Sequence, residues 1–292
     1  MTHPQAEHPP ADHLLLHFSD THLVSEGLLY GEVAAGERLA QLLEEVRRSG
    51  LRPSALIFTG DLTDAGEERA YATLRGVVEP FAAELGAPVI WLMGNHDNRA
   101  ALRTGLLGEP AGDGPVHRTV RLGGLRVITL DTSVPGHHHG ELDDVQLAWL
   151  EAELAEPAPE GTVLAMHHPP IPMVQDLAVL TELRQQARLA EIVADTDTRL
   201  ILAGHIHVPS SSVFAGIPVS VAPSTCYTQD LLVTAGGVRG RDGAQGLNVV
   251  HVYPHTVVTS VATLGPYPPV GEQLAPDEVR RRLATTRSRG RA

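Results

Sequence analysis

The sequence predicts an α/β protein in which sheets pack together and helices lie outside, and three observations predict it. Short apolar runs alternate with longer amphipathic stretches from residue 14 to residue 203. Beyond Gly204 the texture changes to apolar runs with no helical spacing between them. No internal repeat and no shift of composition divides the middle of the chain.

Taken in order, LLLHF (14–18) is the first predicted strand, followed by a helix over Arg38–Ser49 with Leu39, Leu42, Leu43 and Val46 on one stripe. ALIFT (55–59) is the second strand. Glu67–Leu85 then carries Leu74, Val77, Val78, Phe81 and Leu85 at helical spacing, and Pro80 inside it is expected to kink or divide that helix. PVIWLM (88–93) and RVITL (126–130) are strands. Asp143 stands where an N-cap belongs, ahead of Leu147, Leu150 and Leu154. TVLAM (162–166), a helix from about Thr181 to Ala194, and RLILA (199–203) complete the alternation. SVFAG, IPVSVA, LNVVHVY and VVTSVATL read as strands in antiparallel order. Residues 1–12 are expected to form a mobile arm, residues 13–265 one domain, and residues 266–292 a Pro/Arg-rich tail. That tail holds six arginines and one short predicted helix, and weak association with an anionic membrane surface is the one function its charge suggests.

Composition excludes several classes. The 292 residues carry a formal net charge of −13, so non-specific nucleic-acid binding is not expected. Cys226 is the single cysteine, which excludes an internal disulfide and any CxxC site. All 22 cations are arginine. Without lysine, Schiff-base enzymes, Walker-type NTPases and protein kinases are out. The first residues lack a basic targeting region and no apolar run approaches the length of a membrane span, so a soluble, cytoplasmic protein is expected.

Histidine, with 16 copies, carries the functional signal. Five predicted strands end in polar, ligand-type groups: Ser19-Asp20-Thr21-His22, Gly60-Asp61-Leu62-Thr63-Asp64, Gly94-Asn95-His96-Asp97, His167-His168, and Gly204-His205-Ile206-His207. Open α/β sheets place ligands at the carboxyl ends of strands, so these tips are expected to converge. Asp20 with His22, and His205 with His207, are two apart, which in extended chain aims both side chains the same way. Asp20, His22, Asp61, Asn95, His167, His205 and His207 make seven donors, too many for one ion, so two ions sharing a bridging carboxylate are expected. Mixed N/O donors without thiolate suit iron, manganese, zinc or cobalt rather than calcium. Single histidines such as His3, His8, His13, His117 and His255 read as surface or hydrogen-bonded residues.

The order DxH, GDxxD, GNHD, H, GHxH resembles the signature of the calcineurin-like metallophosphoesterases, and covers most of residues 14–207. The stretches LLHFSDTHL, LDTSVPGHHHGEL, HHPPIP, GIPVSVA and CYTQDL, with the AGG, RGRDGAQG segments after them, are similar to the class III cyclic nucleotide phosphodiesterases and extend the likeness to about residue 265. This resemblance implies a four-layer α/β/β/α sandwich with two packed mixed sheets. It implies one metal, commonly iron, held by Asp20, His22, Asp61 and His207, and a second, often manganese, held by Asp61, Asn95, His167 and His205. Asp61 is then the bridge, and hydroxide between the ions attacks the phosphorus in line with the bond that breaks. His96 is the implied acid for the leaving oxygen, oriented by Asp64. His22, Asp61, Asn95, His96, His138 and His207 are the implied substrate contacts, with His138 in the loop Gly136–Gly140, and His168 supports the centre from behind. A homodimer is implied by the resemblance alone. Ala65 stands where the family often has a cation, and the third motif ends in Asp97 rather than glutamate; both weaken a protein-phosphatase reading. The expected activity is hydrolysis of a cyclic nucleotide, 3′,5′-cAMP first and 2′,3′-cyclic nucleotides next. Other small diesters, or a non-catalytic scaffold on the same fold, are the alternatives.

Overall fold

The computed structural model describes residues 6–289. The remaining parts of the predicted arm and tail, residues 1–5 and 290–292, lie outside the described residues. The chain divides into two compact units, one of Ala11–Leu264 and one made of the two chain ends.

In chain order the large unit begins with β1 (His13–Phe18), α1 (Ala35–Ser49), β2 (Ala55–Thr59), α2 (Glu68–Leu85) and β3 (Val89–Leu92). Then come α3 (Arg99–Leu102), continued by a π turn over Arg103–Leu107, and β4 (Arg118–Leu122), β5 (Leu125–Leu130), α4 (Asp144–Leu154) and β6 (Thr162–Met166). A 3₁₀ turn over Asp176–Thr181 precedes α5 (Gln186–Val193) and β7 (Thr198–Ala203). The last strands are β8 (Ser210–Phe214), β9 (Ile217–Val221), β10 (Thr228–Gln229), β11 (Gly240–Arg241), β12 (Gly246–Val252) and β13 (Val257–Thr263). The unit of the chain ends contains α6 (Pro276–Arg289), on which Arg280, Arg281 and Arg282 pair with Asp277 and Glu278.

Two large mixed sheets carry the fold. The first runs β13-β12-β1-β2-β3 and the second β4-β5-β6-β7-β9-β8. Within them β1, β2 and β3 are parallel, as are β5, β6, β7 and β9. The period-2 alternation of their side chains builds the layers. Leu15, Ala55, Ile57, Val127, Val163 and Leu202 meet between the sheets. Their chain neighbours Leu16, Leu56 and Phe58 face the stripe Leu39, Leu42, Leu74 and Val78 of α1 and α2. Leu164 and Ile201 face Leu147, Leu150 and Leu189 of α4 and α5. Strands covered on both faces favour apolar residues throughout, which is why ALIFT and TVLAM are apolar except for one threonine each, Thr59 and Thr162, whose buried hydroxyls are hydrogen-bonded. The architecture is the expected helix–sheet–sheet–helix sandwich.

Several expectations need correction. Pro80 does not divide its helix: α2 is continuous across it. Pro80 and Gly76 are both exposed, so the carbonyl left without its usual partner can bond to water, while Leu74, Val78 and Phe81 hold the buried face. The fourth helix is shorter than expected and starts at Gln186, because Gln185 takes a left-handed conformation (φ 55°) that closes off the chain before it. The final strands are not one antiparallel set. They form two hairpins, β8–β9 on the second sheet beside parallel β7 and β12–β13 on the first beside β1. No helix among the described residues is long and apolar enough to cross a membrane.

Candidate metal centre

Five strands deliver the seven predicted donors, β1, β2 and β3 from one sheet and β6 and β7 from the other, while His138 lies in the loop after β5. Each donor sits just past the last strand residue, where the backbone is free to turn. Asp20, His22, Asp61, His205 and His207 all have positive φ, between 41° and 76°. The extended geometry expected to align Asp20 with His22, and His205 with His207, is therefore absent; their strands have already ended at Phe18 and Ala203. Left-handed backbone at five non-glycine residues is strain of order 1–3 kcal/mol each, the kind that persists where a site demands it. Close approach also explains two glycines of the motifs. A Cβ on Gly94 would collide with the Asp61 carboxylate, and one on Gly204 with the Ser19 hydroxyl.

All seven predicted donors come together. Asp61 is central: its Oδ2 lies 3.4 Å from His22 Nε2 and 3.2 Å from His167 Nε2, while its Oδ1 accepts the His96 backbone N–H at 2.9 Å. His207 Nε2 stands 3.5 Å from Asp20 Oδ1 and 3.2 Å from His22 Nε2. His205 Nδ1 lies 3.2 Å from His167 Nε2. Both oxygens of Asp20 accept from the His205 backbone N–H.

Each imidazole is oriented through its other nitrogen. His167 Nδ1 donates to the Thr59 carbonyl at 2.7 Å, His205 Nε2 to Thr181 at 3.0 Å, His207 Nδ1 to Tyr227 at 3.0 Å, and His22 Nδ1 meets Asp64 Oδ1 at 3.1 Å. This outer shell leaves one lone pair per ring turned inward, the arrangement that metal-binding histidines require. Asn95 Oδ1 is buried with no hydrogen-bond partner, a cost that a cation would remove. The donors present fit a pair of metal ions.

Charge points the same way. Burial raises the Asp20 carboxyl. Burial works on Asp61 as well, but His167 and His22 outweigh it and hold that carboxyl well below the usual range. Burial lowers both His205 and His207 to about 3, and lowers His167 too, yet Asp61 and Asp20 carry His167 up to about 9. Two buried carboxylates thus draw positive charge into the cleft. Cys226 Sγ lies 4.0 Å from His207 Nδ1; the residue is buried in the core, its thiol pushed up to about 11 by burial.

The remaining predicted residues are close by. His96 has its Nδ1 2.8 Å from the Asp64 backbone carbonyl and 3.6 Å from the Asp64 carboxylate. The carboxylate itself lies nearer His22. Asp64 thus holds His96 chiefly through its backbone, a division that residue spacing does not reveal. His138 is exposed, with Nδ1 3.2 Å from Asn95 Nδ2. Buried His168 bonds Thr132 Oγ1 at 2.7 Å and the His138 carbonyl at 3.1 Å, and so ties the Gly136–Gly140 loop to the centre. Four contributors escaped the sequence, the Thr59 carbonyl that orients His167 being one. Asp97 accepts from the backbone of Leu62, Thr63 and Gly94 and clamps two motifs together. Tyr227 and Thr181 orient histidines through carbonyls, and no side-chain pattern advertises a carbonyl. The cleft has a volume of about 220 Å³ and is lined by His22, Asp61, Asn95, His96, His138, His205 and His207 with Tyr30 and Tyr227.

Strand-end donors of this kind, on a two-sheet sandwich, define a metallophosphoesterase-type protein. The chain belongs to the calcineurin-like phosphoesterase family, whose model matches residues 13–209. It is 60% identical to the cAMP/cGMP dual specificity phosphodiesterase of Mycobacterium tuberculosis, over 96% of this chain and 88% of that one. It is 32% identical to the 3′,5′-cyclic adenosine monophosphate phosphodiesterase CpdA of Escherichia coli K12, over 73% of this chain and 76% of that one. In fold it is similar to a dimetal phosphatase from Danio rerio, with a TM-score of 0.60 at 14% identity, covering 85% of this chain and 98% of that one.

Proposed function

We propose that this protein is a dinuclear-metal phosphodiesterase that hydrolyses cyclic nucleotides, 3′,5′-cAMP first among them. The observation that carries the reading is a cleft lined by His22, Asp61, Asn95, His205 and His207 with Asp20 and His167 packed against them, in a chain 60% identical to a relative named for cAMP and cGMP. Asp20, His22, Asp61 and His207 would hold one ion, and Asp61, Asn95, His167 and His205 the other, with iron and manganese the first pair to look for. Cations held there would supply a nucleophile at neutral pH and offset the charge of the phosphoryl oxygens. The chain's own groups do the rest. Because His96 Nδ1 is engaged by the Asp64 carbonyl, Nε2 is the atom free to pass a proton to the leaving oxygen. His138, exposed at the rim beside Asn95, would donate to the phosphate. On this reading residues 13–265 are the catalytic domain, and the protein works as a homodimer, which light scattering in solution checks.

A substrate panel with manganese present (cAMP, 2′,3′-cAMP, glycerophosphodiesters and monoesters), run beside elemental analysis of the purified protein, tests the proposal. Cyclic nucleotide turnover with two transition-metal ions per chain is expected. Turnover of other diesters alone would reassign the substrate. Near-zero metal with no turnover would leave only the scaffold.

A further inference from the structure

Two amide side chains on the cleft wall have no role in holding the donors. Gln175 and Gln229 both line the cleft. Gln175 Nε2 and Gln229 Oε1 are buried without any hydrogen-bond partner, one a donor and the other an acceptor. Leaving such atoms unpaired costs stability unless a ligand completes them.

Both sit on segments tied to the candidate ligands. The Gln229 backbone N–H donates to the His207 carbonyl at 3.1 Å. Gln175 precedes the 3₁₀ turn that ends at Thr181, whose carbonyl holds His205. Apolar side chains line the same cleft: Leu177 and Val238 leave 59% and 49% of their surface to solvent. Unpaired amides beside exposed aliphatic faces suit a flat, heteroaromatic ligand group with hydrogen-bonding edges.

We propose that Gln175 and Gln229 form a purine subsite that grips the base of the substrate. This rests on the cyclic nucleotide reading above. An amide presents one donor and one acceptor, which matches the amino and ring-nitrogen edge of adenine. Rotating the amide by half a turn exchanges donor and acceptor, and so matches the oxo and ring N–H edge of guanine equally well. The subsite therefore takes both purines, and Leu177 and Val238 cover the faces of the ring.

Titration calorimetry on the manganese-loaded protein reads the base alone by comparing AMP, GMP and ribose 5-phosphate. Both nucleotides should bind about tenfold more tightly than the base-free phosphate, the worth of one or two net hydrogen bonds. In Gln175→Leu with Gln229→Leu that gap should close while ribose 5-phosphate affinity holds. Gln175→Glu, which keeps the shape and loses the unpaired Nε2 donor, is the second variant should the pair fail to fold; its gap should shrink for AMP and GMP alike. Equal binding of AMP and ribose 5-phosphate in the native chain overturns the subsite, and so does an unchanged gap in the variants. Failure of the parent reading shows separately, as native protein that turns over no cyclic nucleotide.

Discussion

Asp61 is the residue on which the centre hangs, because its two oxygens face different partners. Oδ2 lies between His22 and His167, and Oδ1 holds the His96 backbone. Asp61→Ala should therefore lower the affinity for both ions and bring activity near background; two tightly bound ions per chain, counted by elemental analysis, would refute the bridging role. His96 tests a different step. His96→Ala should keep both ions yet lower kcat for cAMP by roughly 10²–10⁴, the usual worth of a positioned acid. The penalty should shrink for a nitrophenyl diester, whose leaving group departs without a proton. Equal losses on both substrates would point to charge stabilisation of the phosphoryl oxygens instead. At this scale the motifs were legible residue by residue, since ligand chemistry restricts which side chains can serve. The division of Asp64 between His22 and His96 was not, because it depends on which atom of Asp64 each ring meets.

Among the elements, those that are buried on both faces or carry a strong cap were legible. Asp143 accepts from the Gln146 backbone N–H at 2.7 Å and starts α4 as expected. Asp143→Ala should cost about 1 kcal/mol in urea unfolding, the usual worth of an N-cap. The elements that were missed, α3 with its π turn, β4 and the short β10–β11 pair, carry little apolar periodicity. The β10–β11 pair is held in part by Asp230, which accepts from Arg239 and Arg241. Arg239, the Leu232 backbone N–H and Arg241 together lower the Asp230 carboxyl to about 2. A carboxyl depressed in the fold stabilises it above the unfolded value of about 3.9. The stabilisation is lost as pH falls toward the folded value. Relative to Asp230→Asn, the native chain should therefore protect amides 230–241 from hydrogen exchange equally at pH 5 and 7, with the advantage shrinking below pH 4. An advantage that persisted unchanged to pH 2 would show that the arginines do not hold the strand pair through this charge.

At the scale of the whole molecule, the cleft is built entirely within the unit Ala11–Leu264. Truncation after Gly265 should leave soluble-substrate turnover largely intact. A large loss in a well-folded truncation, with circular dichroism unchanged, would show that residues 266–292 complete the site or the dimer.

The sequence by itself determined the alternation of strands and helices and the two-faced burial of the central strands, and it singled out the seven candidate donors. Each of these is a local matter of side-chain type and spacing, and local patterns survive in one dimension. Only the tertiary structure decided how the donors meet. Two sheets had to pack before the ends of β1, β2 and β3 could face those of β6 and β7. The backbone takes a left-handed conformation at five of the candidate donors, just past the ends of those strands. Carbonyls of Thr59, Thr181 and Tyr227 orient three of the imidazoles, and every residue has a carbonyl. Which carbonyl faces which ring is set by the fold, and not by the side chain that carries it.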